Sequence, residues 1–115
     1  MMTDEREILR GAYRDFNARK IDAVLAVMTP DVEWPNGMEG GFVHGHEGVR
    51  NYWTRQWTML DSHVDPVEIL RREDGRYTVV VHQVVRSRDG HLLADRLVRH
   101  VYGMRNGLIE RMDIE

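Results

Sequence analysis

The sequence predicts an α+β fold, with helices in its first half and an antiparallel sheet in its second. Three observations carry this. Apolar residues recur at helical spacing up to about residue 60, and long β-branched runs take over after His63. Those runs are separated by Asp74-Gly75, Asp89-Gly90 and Asn106-Gly107, the dipeptides that most strongly signal hairpins. At 115 residues, with 42% hydrophobic and 30% charged residues, the chain has the size and balance of one globular unit, so residues 1–115 are expected to form a single domain.

Thr3 or Asp4 can cap the first helix, and Glu5 and Glu7 follow in its first turn, where the helix dipole favours negative charge. Ile8, Leu9, Ala12, Tyr13 and Phe16 then share one face, and the helix should end near residues 17–19. A second, shorter helix should present Ile21, Val24, Leu25 and Met28. It should stop at Thr29-Pro30-Asp31, because a residue before proline is pushed out of helical geometry. Val32-Glu33-Trp34 reads as a short extended piece, residues 36–41 as a glycine-rich loop, and Phe42-Val43-His44 as a second short strand. A third helix follows Gly45-His46, with Val49, Tyr52, Trp53, Trp57 and Leu60 on one stripe. Four strands are expected over residues 64–72, 77–88, 91–105 and 108–115, forming a meander.

Two-residue turns fix register, and register fixes which side chains share a face. If Asp89-Gly90 is such a turn, Arg88 pairs with His91, Val85 with Ala94, Gln83 with Arg96, Val81 with Val98 and Val79 with His100. If Asn106-Gly107 is also tight, Met104 pairs with Ile109, Tyr102 with Arg111 and His100 with Asp113. One face then carries Val79, Val81, Val85, Val98, Tyr102 and Met104, together with Gln83, Arg96, His100, Arg111 and Asp113. The other carries Val80, His82, Val84, Leu97 and Val101, with Met112 and Ile114. Both faces are half apolar, which is unusual for a sheet with one wet side. One face should meet the helices and the other a second copy of the chain, so a homodimer through the outer sheet face is expected.

Several function classes are excluded or disfavoured. There is no cysteine, hence no disulfide, thiol nucleophile or cysteine-based zinc site. Sixteen basic residues are dispersed among nineteen acidic ones, net charge −3, so no nucleic-acid footprint forms. No apolar run approaches the roughly 20 residues that span a bilayer. The polar start, Met1-Met2-Thr3-Asp4-Glu5, lacks signal-peptide character, so a cytoplasmic location with no membrane partner is expected. The loop at residues 36–41 lacks a phosphate-loop ending, and neither Ser62 nor Ser87 has flanking glycines. His44-x-His46 has the spacing of a metal pair on a strand but no placed third ligand, and is read as two loop histidines.

The candidate chemistry lies on the sheet. His100 opposite Asp113 would be an imidazole whose pKa is raised by a carboxylate, suited to acid–base work, with Arg96 and Gln83 orienting or polarising a substrate. A bulge in the last strand would instead turn Asp113 outward and bring Met112 and Ile114 in. The aromatic residues Tyr13, Phe16, Trp34, Trp53 and Trp57 suit a pocket for a flat apolar ligand, and equally a plain core. Met38, in the mobile-looking loop, and Val81, Val98 and Tyr102, on the inner sheet face, complete the expected ligand-binding set.

The order of elements, and the runs Ala12-Tyr13…Phe16-Asn17-Ala18-Arg19-Lys20-Ile21-Asp22, Met28-Thr29-Pro30-Asp31-Val32-Glu33-Trp34, Gly45-His46-Glu47-Gly48-Val49-Arg50 and His100-Val101-Tyr102-Gly103-Met104, resemble the SnoaL-like branch of the NTF2-like superfamily. The resemblance covers nearly the whole chain. It implies three N-terminal helices packed on a strongly curved sheet, a cone enclosing a pocket for a small apolar molecule, and His100 inside it. It implies less about activity, because the superfamily holds isomerases, cyclases, dehydratases, epoxide hydrolases and binders. By the same resemblance, the oxyanion-binding acid of the ketosteroid isomerases falls at His100 and their aspartate base at Trp34. Their tyrosine donor falls at Ala12, with Tyr13 one position off on another azimuth. The last-strand aspartate of the cyclases and epoxide hydrolases falls at Ile114, one residue after Asp113. The expected function is therefore that of a cofactor-independent isomerase, cyclase or lyase using acid–base chemistry on a carbonyl-bearing apolar substrate; the alternatives are non-catalytic binding in the same pocket or a homodimeric interaction module of the same fold.

Overall fold

Asp4 caps the first helix, its carboxylate accepting from the Arg6 backbone N–H at 2.9 Å, so α1 runs Glu5–Asn17. The computed structural model describes residues 4–115; Thr3, the alternative cap, and the Met1-Met2 start lie outside the described residues. The remaining elements are α2 (Ile21–Leu25), β1 (Met28–Pro35), β2 (Phe42–His44), α3 (Gly45–Met59), β3 (Leu60–Arg71), β4 (Tyr77–Ser87), β5 (Leu92–Arg105) and β6 (Leu108–Ile114). Three helices pack on a curved, unclosed six-stranded sheet of order β2-β1-β6-β5-β4-β3.

The first half departs from the expected pattern around Met28. Met28 and Thr29-Pro30-Asp31 do not cap α2; they open β1, whose parallel pairing with β6 sets Met28 beside Ile109. Proline is tolerated there because β1 pairs irregularly between Met28 and Glu33. This is the one parallel neighbour in an otherwise antiparallel sheet. Leu60, expected on the stripe of α3, begins β3 instead.

Helices and sheet are joined by specific contacts. The Asn17 side chain, at the end of α1, makes both backbone hydrogen bonds of Val64 in β3: its Nδ2 donates to the carbonyl at 2.8 Å and its Oδ1 accepts from the N–H at 2.9 Å. Trp53 of α3 meets Phe16 edge-on at 5.1 Å and Trp34 edge-on at 5.4 Å. Such pairs contribute about 0.5–1.5 kcal/mol each beyond their buried area.

The two decisive hairpins each contain an irregularity, with opposite outcomes. Between β4 and β5 the loop is one residue longer than a two-residue turn. The Ser87 N–H bonds to the His91 carbonyl at 2.9 Å and Gly90 sits at φ 93°, so Arg88 does not pair with His91. Arg86 pairs with Leu92, and β5 then bulges at Leu93. The bulge restores the expected pairing of Val85 with Ala94, Gln83 with Arg96, Val81 with Val98 and Val79 with His100. Between β5 and β6 the turn is tight, with Asn106 and Gly107 both at positive φ and Met104 opposite Ile109. A bulge at Glu110 then shifts the register: Tyr102 pairs with Met112 and His100 with Ile114. Arg111 and Asp113 are consequently turned to the outer face. Asp113 pairs with Val101 and not with His100, which corrects the pairing expected from two tight turns.

Candidate functional site

The helices close the concave side of the sheet over a cavity of about 400 Å³. Its wall draws on Tyr13 and Phe16 of α1, Trp34 of β1, Tyr52 and Trp53 of α3, and the inner faces of β4, β5 and β6. Met38, Leu93, Arg96 and Ile114 line it while being exposed, and so mark its mouth.

Three buried polar groups meet in its wall. The Tyr13 hydroxyl lies 2.7 Å from His100 Nδ1 and accepts from the Tyr102 hydroxyl at 2.7 Å. These two bonds fix the orientation of the ring, with Nδ1 turned to Tyr13. Nε2 has no partner among the described residues and is left for the cavity. Burial lowers the His100 pKa from 6.5 to about 4, so the ring is neutral at physiological pH. Burial likewise raises both phenols, Tyr13 and Tyr102, and they remain protonated.

The other expected site residues divide into three groups. Trp34, Met38, Trp53, Gln83, Arg96, Val98 and Tyr102 line the cavity with Tyr13 and His100. Trp57 and Val81 do not. The Trp57 ring lies under the Arg19 guanidinium, 4.8 Å away, and beside Phe16 at 5.2 Å. Val81 is fully buried in the core. Asp113 is turned away by the β6 bulge; hydrogen bonding from Arg111 holds its carboxyl below the usual carboxylate range, at 2.9 Å on both oxygens. The expected imidazole–carboxylate pair therefore does not form, and the His100 pKa moves down, not up.

No residue lining the cavity is an aspartate or glutamate. Among the described residues, no group of three metal-ligating side chains is placed to hold an ion. His46 Nε2 lies 3.0 Å from the Met28 carbonyl, whereas His44 sits beside Glu33, Nδ1 to Oε2 3.9 Å. No described helix is long and apolar enough to cross a membrane.

A SnoaL-like domain model matches residues 9–112. The chain belongs to the SnoaL-like domain family. A comparison with curated protein sequences gave no match. Among solved structures, an NTF2-like protein of unknown function from Burkholderia pseudomallei superposes with a TM-score of 0.85 at 27% identity, covering 99% of this chain and 91% of that one. TerC, co-crystallised with polyporic acid, superposes at 0.84 with 31% identity, covering 96% and 89%. A Mycobacterium tuberculosis protein in complex with estradiol-17beta-hemisuccinate shares the fold at 0.79 with 18% identity, covering 93% and 88%. Proteins crystallised with quite different small molecules thus share this architecture, and the fold alone selects no activity.

Within the SnoaL-like frame, the position expected to hold a last-strand aspartate is Ile114, which lines the cavity. Tyr13, expected on another azimuth from the isomerase tyrosine, nevertheless reaches the His100 ring. Sequence reasoning missed Tyr52 and Gln56 as wall residues. The Tyr52 hydroxyl accepts from the Gly37 N–H at 3.0 Å and from Gln56 Nε2 at 3.2 Å, fixing the loop that carries Met38. Tyr52 lay on the apolar stripe of α3, but nothing in its spacing signalled the partner loop. Leu93 was missed because its place at the mouth follows from a bulge.

Two outcomes follow. Tyr13→Phe leaves both Tyr102 and His100 Nδ1 without a partner and is expected to destabilise the fold by about 1–3 kcal/mol; Tyr102→Phe removes a single donor and should cost about 1 kcal/mol. Urea denaturation checks the order, and equal losses would remove Tyr13 as the hub. Unfolding returns His100 from about 4 to 6.5, so the unfolded chain binds a proton that the native one refuses. The contribution of His100 is fully present above pH 6.5 and is lost as pH falls toward about 4, with a slope of about 1.4 kcal/mol per pH unit in between. His100→Gln should flatten that slope in stability measured from pH 7 to 4; an unchanged slope would show His100 titrating normally.

Proposed function

We propose that this SnoaL-like domain holds a small, flat, largely apolar molecule in its cone and hydrogen-bonds a carbonyl oxygen of that molecule from His100 Nε2–H. One observation carries the reading: an aromatic cavity contains a neutral imidazole held at Nδ1 by Tyr13, and no carboxylate lines it. The polyporic acid bound by TerC, at 31% identity, supports a ligand of this kind.

Any reaction in this cavity is electrophilic in character. His100 polarises a carbonyl without carrying charge, as a fixed dipole that strengthens when charge develops on oxygen. It is a poor general base, because its protonated form survives only near pH 4 and below. The tyrosines are a poor proton source, because a relay would end on a phenolate at Tyr102, which is sealed from solvent. Enolisation or ring closure of a substrate that is already acidic fits these groups; abstraction of a weakly acidic proton does not.

Polyporic acid and 4-acetylbiphenyl, titrated calorimetrically, should bind with 1:1 stoichiometry. His100→Phe should weaken both about tenfold or more, as expected for loss of a buried hydrogen bond. Absence of binding by either compound, or indifference to His100→Phe, would overturn the reading.

The outer sheet face supports a homodimer. Leu97 is 67% exposed there, beside Val80, Val84 and the hydrogen bond between His82 and Asp95 at 2.7 Å. Light scattering should give a dimer for the wild type and a monomer for Leu97→Glu; a monomeric wild type would remove this proposal.

A further inference from the structure

We propose that the ligand of this cavity is an organic acid, whose ionised group is clamped by Arg96 at the mouth while its carbonyl reaches His100. The inference rests on the pocket reading above and adds the charge and length of the molecule.

Arg96 is the one charged side chain in the cavity wall. It makes no ion pair with a described carboxylate, although an aspartate precedes it in sequence. Strand alternation sends Asp95 to the outer face, where its Oδ1 lies 2.7 Å from His82 Nε2. On the inner face, directly across the β4–β5 ladder, the Gln83 side-chain oxygen accepts from Arg96 Nε at 3.2 Å. That bond positions the guanidinium and leaves its two terminal nitrogens with no hydrogen-bond partner among the described residues. Two parallel N–H donors in a plane match a carboxylate or an acidic enolate in bidentate fashion, which an ammonium does not. Apolar Leu93 and Ile114, which also line the mouth, supply no competing acid.

Length follows from the strand. Arg96, Val98 and His100 occupy alternate positions on one face of β5, so the two polar ends are four residue steps apart, a rise of about 13 Å between α-carbons. Val98 occupies the strand position between them and lines the cavity. A molecule with a carbonyl at one end, an anion at the other and two linked aromatic rings between them fits that spacing.

The probe is 4′-acetylbiphenyl-4-carboxylate, compared with its uncharged methyl ester, titrated calorimetrically into the full chain. The acid should bind the wild type at least tenfold tighter than the ester. Arg96→Ala and Arg96→Gln should abolish that preference, bringing acid and ester to within about twofold of each other, and Arg96→Lys should restore it only in part. Raising the salt concentration should weaken the acid alone. Equal affinity of acid and ester for the wild type, or a preference surviving both Arg96→Ala and Arg96→Gln, would overturn the proposal while leaving the pocket reading intact. Failure of both compounds to bind the wild type would overturn the pocket reading and this inference with it.

Discussion

A polar group sealed from water must find a partner or lose its charge, and the interior of this cone is arranged around that constraint. His100 sits on a central strand with Tyr102 two residues along and Tyr13 reaching over from α1. The result links the first helix to the middle of the sheet through two buried hydrogen bonds. It also decides what the cavity can do, because a ring whose orientation is fixed and whose charge is suppressed behaves as a directed dipole.

The last strand decides the electrostatics of the same space. Continued without interruption from its turn, β6 would have brought Asp113 opposite His100, and the pair would have been a conventional acid–base couple. The bulge at Glu110 exchanges the acid for aliphatic Met112 and Ile114. Asp113 joins Arg111 and Glu33 in an ion-pair network on the outside, where solvent screens it. The low dielectric inside is thus a product of strand geometry as much as of residue choice.

Much of the architecture was legible in the sequence because it rests on local signals. The stripe of α3, the Asn106-Gly107 turn and the inner placement of Val79, Val81, Val98 and His100 all follow from periodicity and turn chemistry. Met28 was misplaced because its spacing continues the face of α2, whereas its actual neighbour, Ile109, lies 81 residues away across a parallel pairing that leaves no short-range trace. Trp57 and Val81 were assigned to the cavity because aromatic and inward-facing residues are common to pockets and cores alike. The hydrogen bond from Tyr13 was invisible for a related reason: a helix azimuth depends on how the helix docks, and α1 is docked by Asn17 gripping the backbone of Val64.

The two bulges carry a different kind of information. In a strand, side chains alternate, so adding or removing one residue acts as a parity operation on everything beyond it. At the β4–β5 hairpin two such operations cancel, one in the loop and one at Leu93, and the interior is indifferent to the loop's length. At the β5–β6 hairpin a single operation stands uncompensated. A cone of this type can therefore trade an acidic interior for an oily one without a single substitution, simply by gaining or losing a residue near its rim. Chain length at that rim is then as much a determinant of chemistry as the identity of any side chain within.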